Sequence, residues 1–337
     1  MKSFTRMIAA AGIAGLTLGT SAALAQEMTF FRIGTGSAGG TYFPIGGLIA
    51  NAISNPPGSR PCDKGGSCGV PGLVAIAQST NASAHNVTAI DAGQMEAGLT
   101  GAATLYFAFH GVEKFEGKQK PKLRIIANLY PEDLHLVLPK GGKLASLKAL
   151  EGKRVGIAQA GSGTQIAVEI MLKEQGITRD NIDEAELNNS QSAERIADGQ
   201  LDAYFYAAGT PVAAMIQLDN TKGMDLYSFT DEEVMASNKV VPYYVPSKIA
   251  AGTYPGVQYD VNTLAVNGIL VTSSDQPEDL IYEITKALWN DNTRKLLDSG
   301  HAKGKVITLD AALEGISGLN VPLHPGAEKF YKEVGKL

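Results

Sequence analysis

Two hydrophobic periods alternate along this chain, and their order repeats. Residues 30–33, Phe-Phe-Arg-Ile, read as a strand that runs into Gly34-Thr35-Gly36-Ser37-Ala38-Gly39-Gly40-Thr41. Helical spacing follows from about Tyr42 to Ile53, with Pro44 in the first turn, where its missing N–H costs nothing. Further on, Arg154-Val155-Gly156-Ile157-Ala158 reads as a buried strand ending at Gly161-Ser162-Gly163-Thr164. Ile166, Ile170 and Met171 then recur at helical spacing, and Gly176 marks the helix end. Ser162 with Gln165 three residues on fits a capping box.

The second half of each unit matches more closely. Ile90-Asp-Ala-Gly93-Gln94-Met95-Glu96-Ala97 lines up with Ile196-Ala-Asp-Gly199-Gln200-Leu201-Asp202-Ala203, in both cases a helix ending at glycine before a strand. Aligned on Thr41 and Thr164, the first unit is longer by the length of the segment 55–71, which implies a duplicated strand–turn–helix lobe with one insertion. Strands alternating with helices predict α/β lobes with mainly parallel sheets. Residues 262–272 read as a strand, and 275–288 and 290–299 as helices. The chain should cross between lobes near Tyr130-Pro131 and return through 241–256, giving a first lobe over 26–131, a second over 132–255, and a return to the first over 256–337.

Composition narrows the class. The 337 residues are 44% hydrophobic, enough for a large core and against general disorder. There are 29 basic and 34 acidic residues, a net charge of −5, with no Lys/Arg cluster to suit nucleic acid or an anionic membrane. Lys2 and Arg6, the apolar stretch 7–18 and Ala23-Leu24-Ala25 fit a signal peptide over 1–25, cleaved after Ala25, so the mature protein should be periplasmic. In that compartment a disulfide is expected between Cys62 and Cys68, the two cysteines of the Pro/Gly-rich segment 55–71.

The glycine turns are the candidate chemistry. Gly34-x-Gly36-x-x-Gly39 meets a dinucleotide fingerprint, but the acidic residue due about 20 positions on falls in the cysteine loop, where no strand can end. No P-loop, H-E-x-x-H or G-x-S-x-G occurs, and the five histidines lack ligand spacing. An anion site fits better. Glycine lets backbone N–H groups converge at a helix N-terminus, and Thr35, Ser37, Thr41, Ser162 and Thr164 add neutral hydroxyls. Tyr206, just before Gly209-Thr210-Pro211, is a candidate cleft residue.

These segments together resemble the TAXI-type solute-binding proteins of TRAP transporters. The resemblance is carried by Ile33-Gly-Thr-Gly-Ser-Ala-Gly-Gly-Thr-Tyr42, by Leu147-x-x-Leu150-x-Gly152-Lys153-x-Val155, by Gly161-Ser-Gly-Thr164, and by Gly199-x-x-Asp202-Ala203, Gly209-x-Pro211 and Leu323-His-Pro-Gly-Ala327. It implies a two-lobed type II periplasmic-binding-protein fold with the ligand cleft between lobes. It also implies a monomer without cofactor that carries a small organic acid, such as glutamate, glutamine or a 2-oxoacid, to TRAP membrane permease subunits. By position, Thr35, Ser37, Gly40, Thr41 and Tyr42 of the first turn and Ser162, Gly163 and Thr164 of the second should face the ligand, with Tyr206, Gly209 and Thr210. The family's Thr-Gly-Gly-Ser segment appears as Thr80-Asn81-Ala82-Ser83, with Asn86 following. Its usual Gln and Asp are replaced around Gly101-Ala102-Ala103-Thr104, which points to a less polar acid. An exported enzyme or sensor subunit on the same fold is the alternative reading.

Overall fold

A computed structural model describes residues 28–337; the signal segment expected over 1–25 lies outside them. The chain begins with strand β1 (Thr29–Gly34) and helix α1 (Tyr42–Ile53), then β2 (Ser54–Asn55), β3 (Val70–Pro71) and β4 (Leu73–Gln78). Helix α2 (Ser83–Asp91), β5 (Ala97–Gly101) and α3 (Ala102–His110) lead to the 17-residue strand β6 (Leu123–Pro139). The second unit is β7 (Arg154–Gly156), α4 (Gly163–Glu174), β8 (Asp183–Ala185), α5 (Asn189–Ala197), β9 (Ala203–Ala208) and α6 (Ala213–Thr221). Strand β10 (Met224–Leu226), α7 (Asp231–Val240), β11 (Val245–Ile249) and β12 (Val261–Ser273) follow, and α8 (Glu278–Leu288), α9 (Asp291–Gly300) and α10 (Pro325–Glu333) close the chain.

One sheet runs through the molecule in the order β4-β1-β5-β12-β6-β9-β7-β8, with β10 on β6 and β11 on β12. Its middle is the antiparallel pair β6–β12. Parallel strands flank that pair on both sides, β4-β1-β5 in one lobe and β9-β7-β8 in the other. Strand β6 pairs with the far half of β12 through residues 123–128 and with β9 through 133–137, so one strand serves both lobes. The segment 241–256 is not only a connection, because β11 inside it pairs antiparallel with β12. Period-2 reasoning missed it because Val-Pro-Ser-Lys-Ile exposes most of its side chains at an edge.

The duplication is visible in side-chain detail. Arg32 and Glu96 bridge β1 and β5, with Arg32 N donating to Glu96 Oε2 at 2.7 Å and Nη2 to Oε1 at 2.6 Å. Arg154 and Asp202 repeat this between β7 and β9 at 2.9 and 2.7 Å. Both pairs are half-exposed and contribute little stability, but each ties the strands of a parallel pair together. The helix-start equivalence is Thr41 with Ser162, the two N-caps, rather than Thr41 with Thr164. With that pairing the first unit is longer by fewer residues than the segment 55–71 contains, and β4 has six residues where β8 has three, so the insertion does not match the length difference one for one.

Apolar faces of the helices bury against both sides of the sheet. Ile45, Ile49 and Ile53 of α1 pack with Ile281, Ile284 and Leu288 of α8 over Phe31, Ile33 and Leu129. On the opposite side a core runs from Val87, Leu105 and Phe107 to Val155, Ile166, Met171 and Phe205. This second core spans both lobes. Outside the cores, Cys62 and Cys68 are disulfide-bonded, and their loop is held to α9 by Asn290 Nδ2, which donates to the Cys68 carbonyl at 3.2 Å. Closing so short a ring stabilises by about 2 kcal/mol on a chain-entropy estimate. Replacing both cysteines with serine should therefore lower unfolding free energy by about 2–3 kcal/mol in a denaturant titration and leave ligand affinity unchanged; a loss of binding would tie the loop to the site.

Candidate functional site

Parallel strand–helix units aim helix N-termini at the carboxyl ends of the strands, and here four such ends meet. The cleft between the lobes is lined by Thr41 and Tyr42 where α1 starts, Ala82 and Ser83 at α2, Gly101, Ala103 and Thr104 at α3, and Ser162, Gly163 and Thr164 at α4. Glu132, Gln159, Tyr206, Tyr244 and Val266 complete it, enclosing about 500 Å3 of atom-free space with its mouth included. First-turn N–H groups have no intrahelical acceptor, so Tyr42, Phe43, Ala102, Ala103, Gly163 and Thr164 bring free donors to this region. The aligned peptide dipoles add positive potential. Among the described lining residues there is no lysine, arginine or histidine.

Local chemistry sets each helix start. Ser162 Oγ caps α4 by accepting from Gln165 N at 3.1 Å. The expected capping box is half present, because the Gln165 side chain accepts from Gly161 N rather than from the cap residue. At α1, the Thr41 hydroxyl makes no cap; it donates across the cleft to the Gly209 carbonyl at 2.6 Å. The N-terminus of α2 finds its acceptor in the other lobe, where the Gly161 carbonyl receives Ala84 N and His85 N at 3.1 and 3.2 Å. Asn189 Nδ2 donates to the Gly39 carbonyl at 3.1 Å, a fourth bond between lobes. The lobes are therefore closed on one another.

The expected site residues separate into two groups. Thr41, Tyr42, Ser162, Gly163, Thr164 and Tyr206 line the cleft. Gly40 lies behind Tyr206, whose hydroxyl would stand 2.3 Å from a Cβ at that position. The others lie off the lining. Thr35 is fully buried and donates to the Gln78 carbonyl at 2.7 Å. Asn86 Nδ2 donates to the carbonyls of Thr35 and Leu99, both at 2.8 Å, and the Thr80 hydroxyl sits 2.7 Å from Asn86 Oδ1. These three residues clamp β1 to β4 and β5. Asn81 is exposed, and Ser37 Oγ is buried near the Tyr206 hydroxyl but outside hydrogen-bond geometry. Gly209 serves through its carbonyl, and the Thr210 hydroxyl donates to Asp133.

Sequence reasoning overlooked the residue that most shapes the cleft. Glu132 is 4% exposed and accepts a hydrogen bond from the Tyr42 hydroxyl at 3.0 Å. Burial raises its pKa to about 8, against the opposing pull of Tyr42 and Lys303. The signal was present, since Pro131-Glu132-Asp133 places two adjacent carboxylates in the middle of a mainly apolar strand. Asp133, next along, holds Thr210, Ser247 and, at 3.8 Å, Lys303. Burial likewise lifts the Tyr206 phenol to about 12 and depresses the His135 imidazole. Ser83 was quoted only as part of a segment and Thr104 only as a departure; both present hydroxyls to the cleft.

The chain belongs to the NMT1-like family, which it matches over residues 33–335. Its fold is that of the two-lobed periplasmic binding proteins. PhnD1 from Prochlorococcus marinus (MIT 9301), solved in complex with methylphosphonate, is 12% identical with a TM-score of 0.51, over 91% of this chain and 99% of that one. A protein from Bordetella bronchiseptica RB50 is 13% identical with a TM-score of 0.50, over 91% and 82%. The family match does not carry the TRAP-type specificity that the motifs implied, which is a finer statement than family membership.

The raised pKa of Glu132 makes a stability prediction. A carboxyl that titrates near 8 when folded and near 4.5 when unfolded keeps a proton the unfolded chain has lost. Its contribution is thus fully present below about 4.5 and declines as pH rises toward 8, by up to about 5 kcal/mol. Glu132→Gln should cancel that slope. Thermal melts of both proteins from pH 4.5 to 8 should diverge steadily, with the variant the more stable at the alkaline end; parallel curves would show that Glu132 titrates normally.

Proposed function

We propose that this protein is an extracytoplasmic solute-binding protein, exported to the periplasm, that captures a small monoanionic organic acid and delivers it to a membrane permease. The carrying observation is the convergence of helix N-termini, those of α1, α3 and α4 with free first-turn amides, on one hydroxyl-lined cleft with no cationic side chain among its described lining residues. Backbone donors of this kind suit an anionic head group. A doubly charged one would gain from an arginine or lysine that the described lining lacks, which favours a single charge. The buried, unpartnered side-chain oxygen of Gln159 marks a further polar contact waiting for a ligand. The motifs from Ile33 through Ala327 lead us to a TRAP-type permease as the partner. We place the lobe crossings at Pro131–Glu132 in β6 and near Val266–Gly268 in β12, later on the return than 256.

Thr104→Val tests the site. The substitution keeps shape and removes a cleft-facing hydroxyl that makes no bond within the protein. Mass spectrometry of the small molecules co-purifying from periplasm should identify an acid. Calorimetry with that acid should then show the variant weaker by about 5- to 150-fold with an unchanged melting temperature, the cost of one lost hydrogen bond to a charged group. Equal affinity would move the site away from α3.

Closure is testable separately at Gly163. A Cβ there would lie 2.8 Å from Thr104 Oγ1 and 2.9 Å from Ser83 Oγ, both in the opposite lobe. Gly163→Ala should wedge the cleft. Scattering should show a ligand-induced decrease in radius of gyration for the wild type and none for the variant; equal compaction would mean the lobes do not close on this contact.

A further inference from the structure

A hydrogen-bond chain leads to Glu132. Gly101 N can only donate, and it donates to Ser83 Oγ at 3.1 Å. Ser83 Oγ stands 3.5 Å from the Tyr42 hydroxyl, a contact in which either can donate. Tyr42 in turn gives its proton to Glu132 Oε2 at 3.0 Å. Oε2 is thereby occupied as an acceptor. Oε1, the other carboxyl oxygen of this cleft-lining residue, has no protein donor among the described residues and packs against Gly268, where a Cβ would stand 3.4 Å away.

The surroundings decide which form of Glu132 can coexist with an anion. Its neighbours are Tyr42 on α1, Tyr206 on β9, Tyr244 before β11, Tyr130 and Asp133 on its own strand, and Lys303 after α9. Lys303 is the one cation here among the described residues, and its amine is 3.8 Å from Asp133, which already claims it. An ionised Glu132 would therefore face a bound anion with no local cation between them. A protonated one, with Oε1–H turned into the cleft, donates to that anion instead.

We propose that Glu132 receives the ligand as a carboxylic acid, donating Oε1–H to the ligand's anionic group, so that wherever Glu132 is ionised in the empty protein, capture of the anion is coupled to uptake of a proton from solvent. This rests on the anion-binding reading above and names the residue that sets its selectivity. The step balances: ionised Glu132, one proton given up by solvent hydronium and one ligand anion give a neutral acid hydrogen-bonded to the anion, the new Glu132 O–H bond replacing the one broken in hydronium. The cleft then selects monoanions with a free acceptor oxygen. It disfavours ligands that put an ammonium beside Glu132, because an ammonium would pair with the ionised carboxylate and expel the proton.

Formate and glycine are the probes. In protein labelled with carboxyl-13C glutamate, the resonance absent from Glu132→Gln identifies this residue. Backbone amides of Gly163 and Thr164 report on occupancy of the cleft. The expected result is a Glu132 midpoint well above that of free glutamate in the empty protein. Saturating formate should raise it by about one pH unit or more and shift the two amides. A normal midpoint in both states, or a formate-shifted pair of amides with no rise at Glu132, overturns the proton coupling and leaves the anion site standing. Amides unmoved by molar formate would overturn the anion reading itself. A midpoint lowered by glycine at concentrations where formate does nothing would replace the proposal with an ammonium site.

Discussion

Donors at the ends of helices have to find acceptors, and this fold collects four sets of them at one place. The parallel strand–helix units make that unavoidable: each helix begins where its strand ends, so both lobes aim N-termini across the same gap. Where the protein supplies the acceptor, the lobes are joined, as with the Gly161 carbonyl under the first turn of α2. Where it does not, at the starts of α1, α3 and α4, the lining is hydroxyl-rich and the backbone is bare. Gly163 illustrates the second case, since any side chain on it would strike Thr104 and Ser83. The cleft is thus both a joint and a receptor.

The central strands make the joint. The β6–β12 pairing is broken by register shifts between Gly268 and Ile269 and between Leu270 and Val271. Glu132 pairs with Val266 just before the first of them, buried in the strand that both lobes share. A carboxyl there lowers stability over the neutral range, and an apolar residue would pack at less cost. That it stands at the floor of the cleft, tied to Tyr42, is why we read it as a functional group rather than a packing residue.

Much of the architecture was legible because it repeats. The Gly-Gln-Met-Glu-Ala and Gly-Gln-Leu-Asp-Ala segments encode the same turn, the same strand start and, with Arg32 and Arg154, the same ion pair. Helix α1 emerged with its expected bounds since Pro44 and the isoleucine spacing leave few alternatives. The site was half legible. A motif shows which residues crowd a turn but not which way their side chains point, so Thr35, Thr80 and Asn86, which bind strands together, read the same as Thr41 and Ser162, which line the cleft. Glu132 was hidden for a different reason: it lies in no motif, and its importance comes from burial that only the packed lobes create.

A crystal structure of the protein purified from periplasm near neutral pH, without added ligand, would test the account most directly. The account predicts electron density for an oxyanion in the cleft, with oxygens in hydrogen-bond reach of the Gly163 and Thr164 amides, the Ser83 or Thr104 hydroxyl, and Glu132 Oε1. A ligand bound elsewhere, or one presenting a cationic or apolar group to the start of α4, would contradict it.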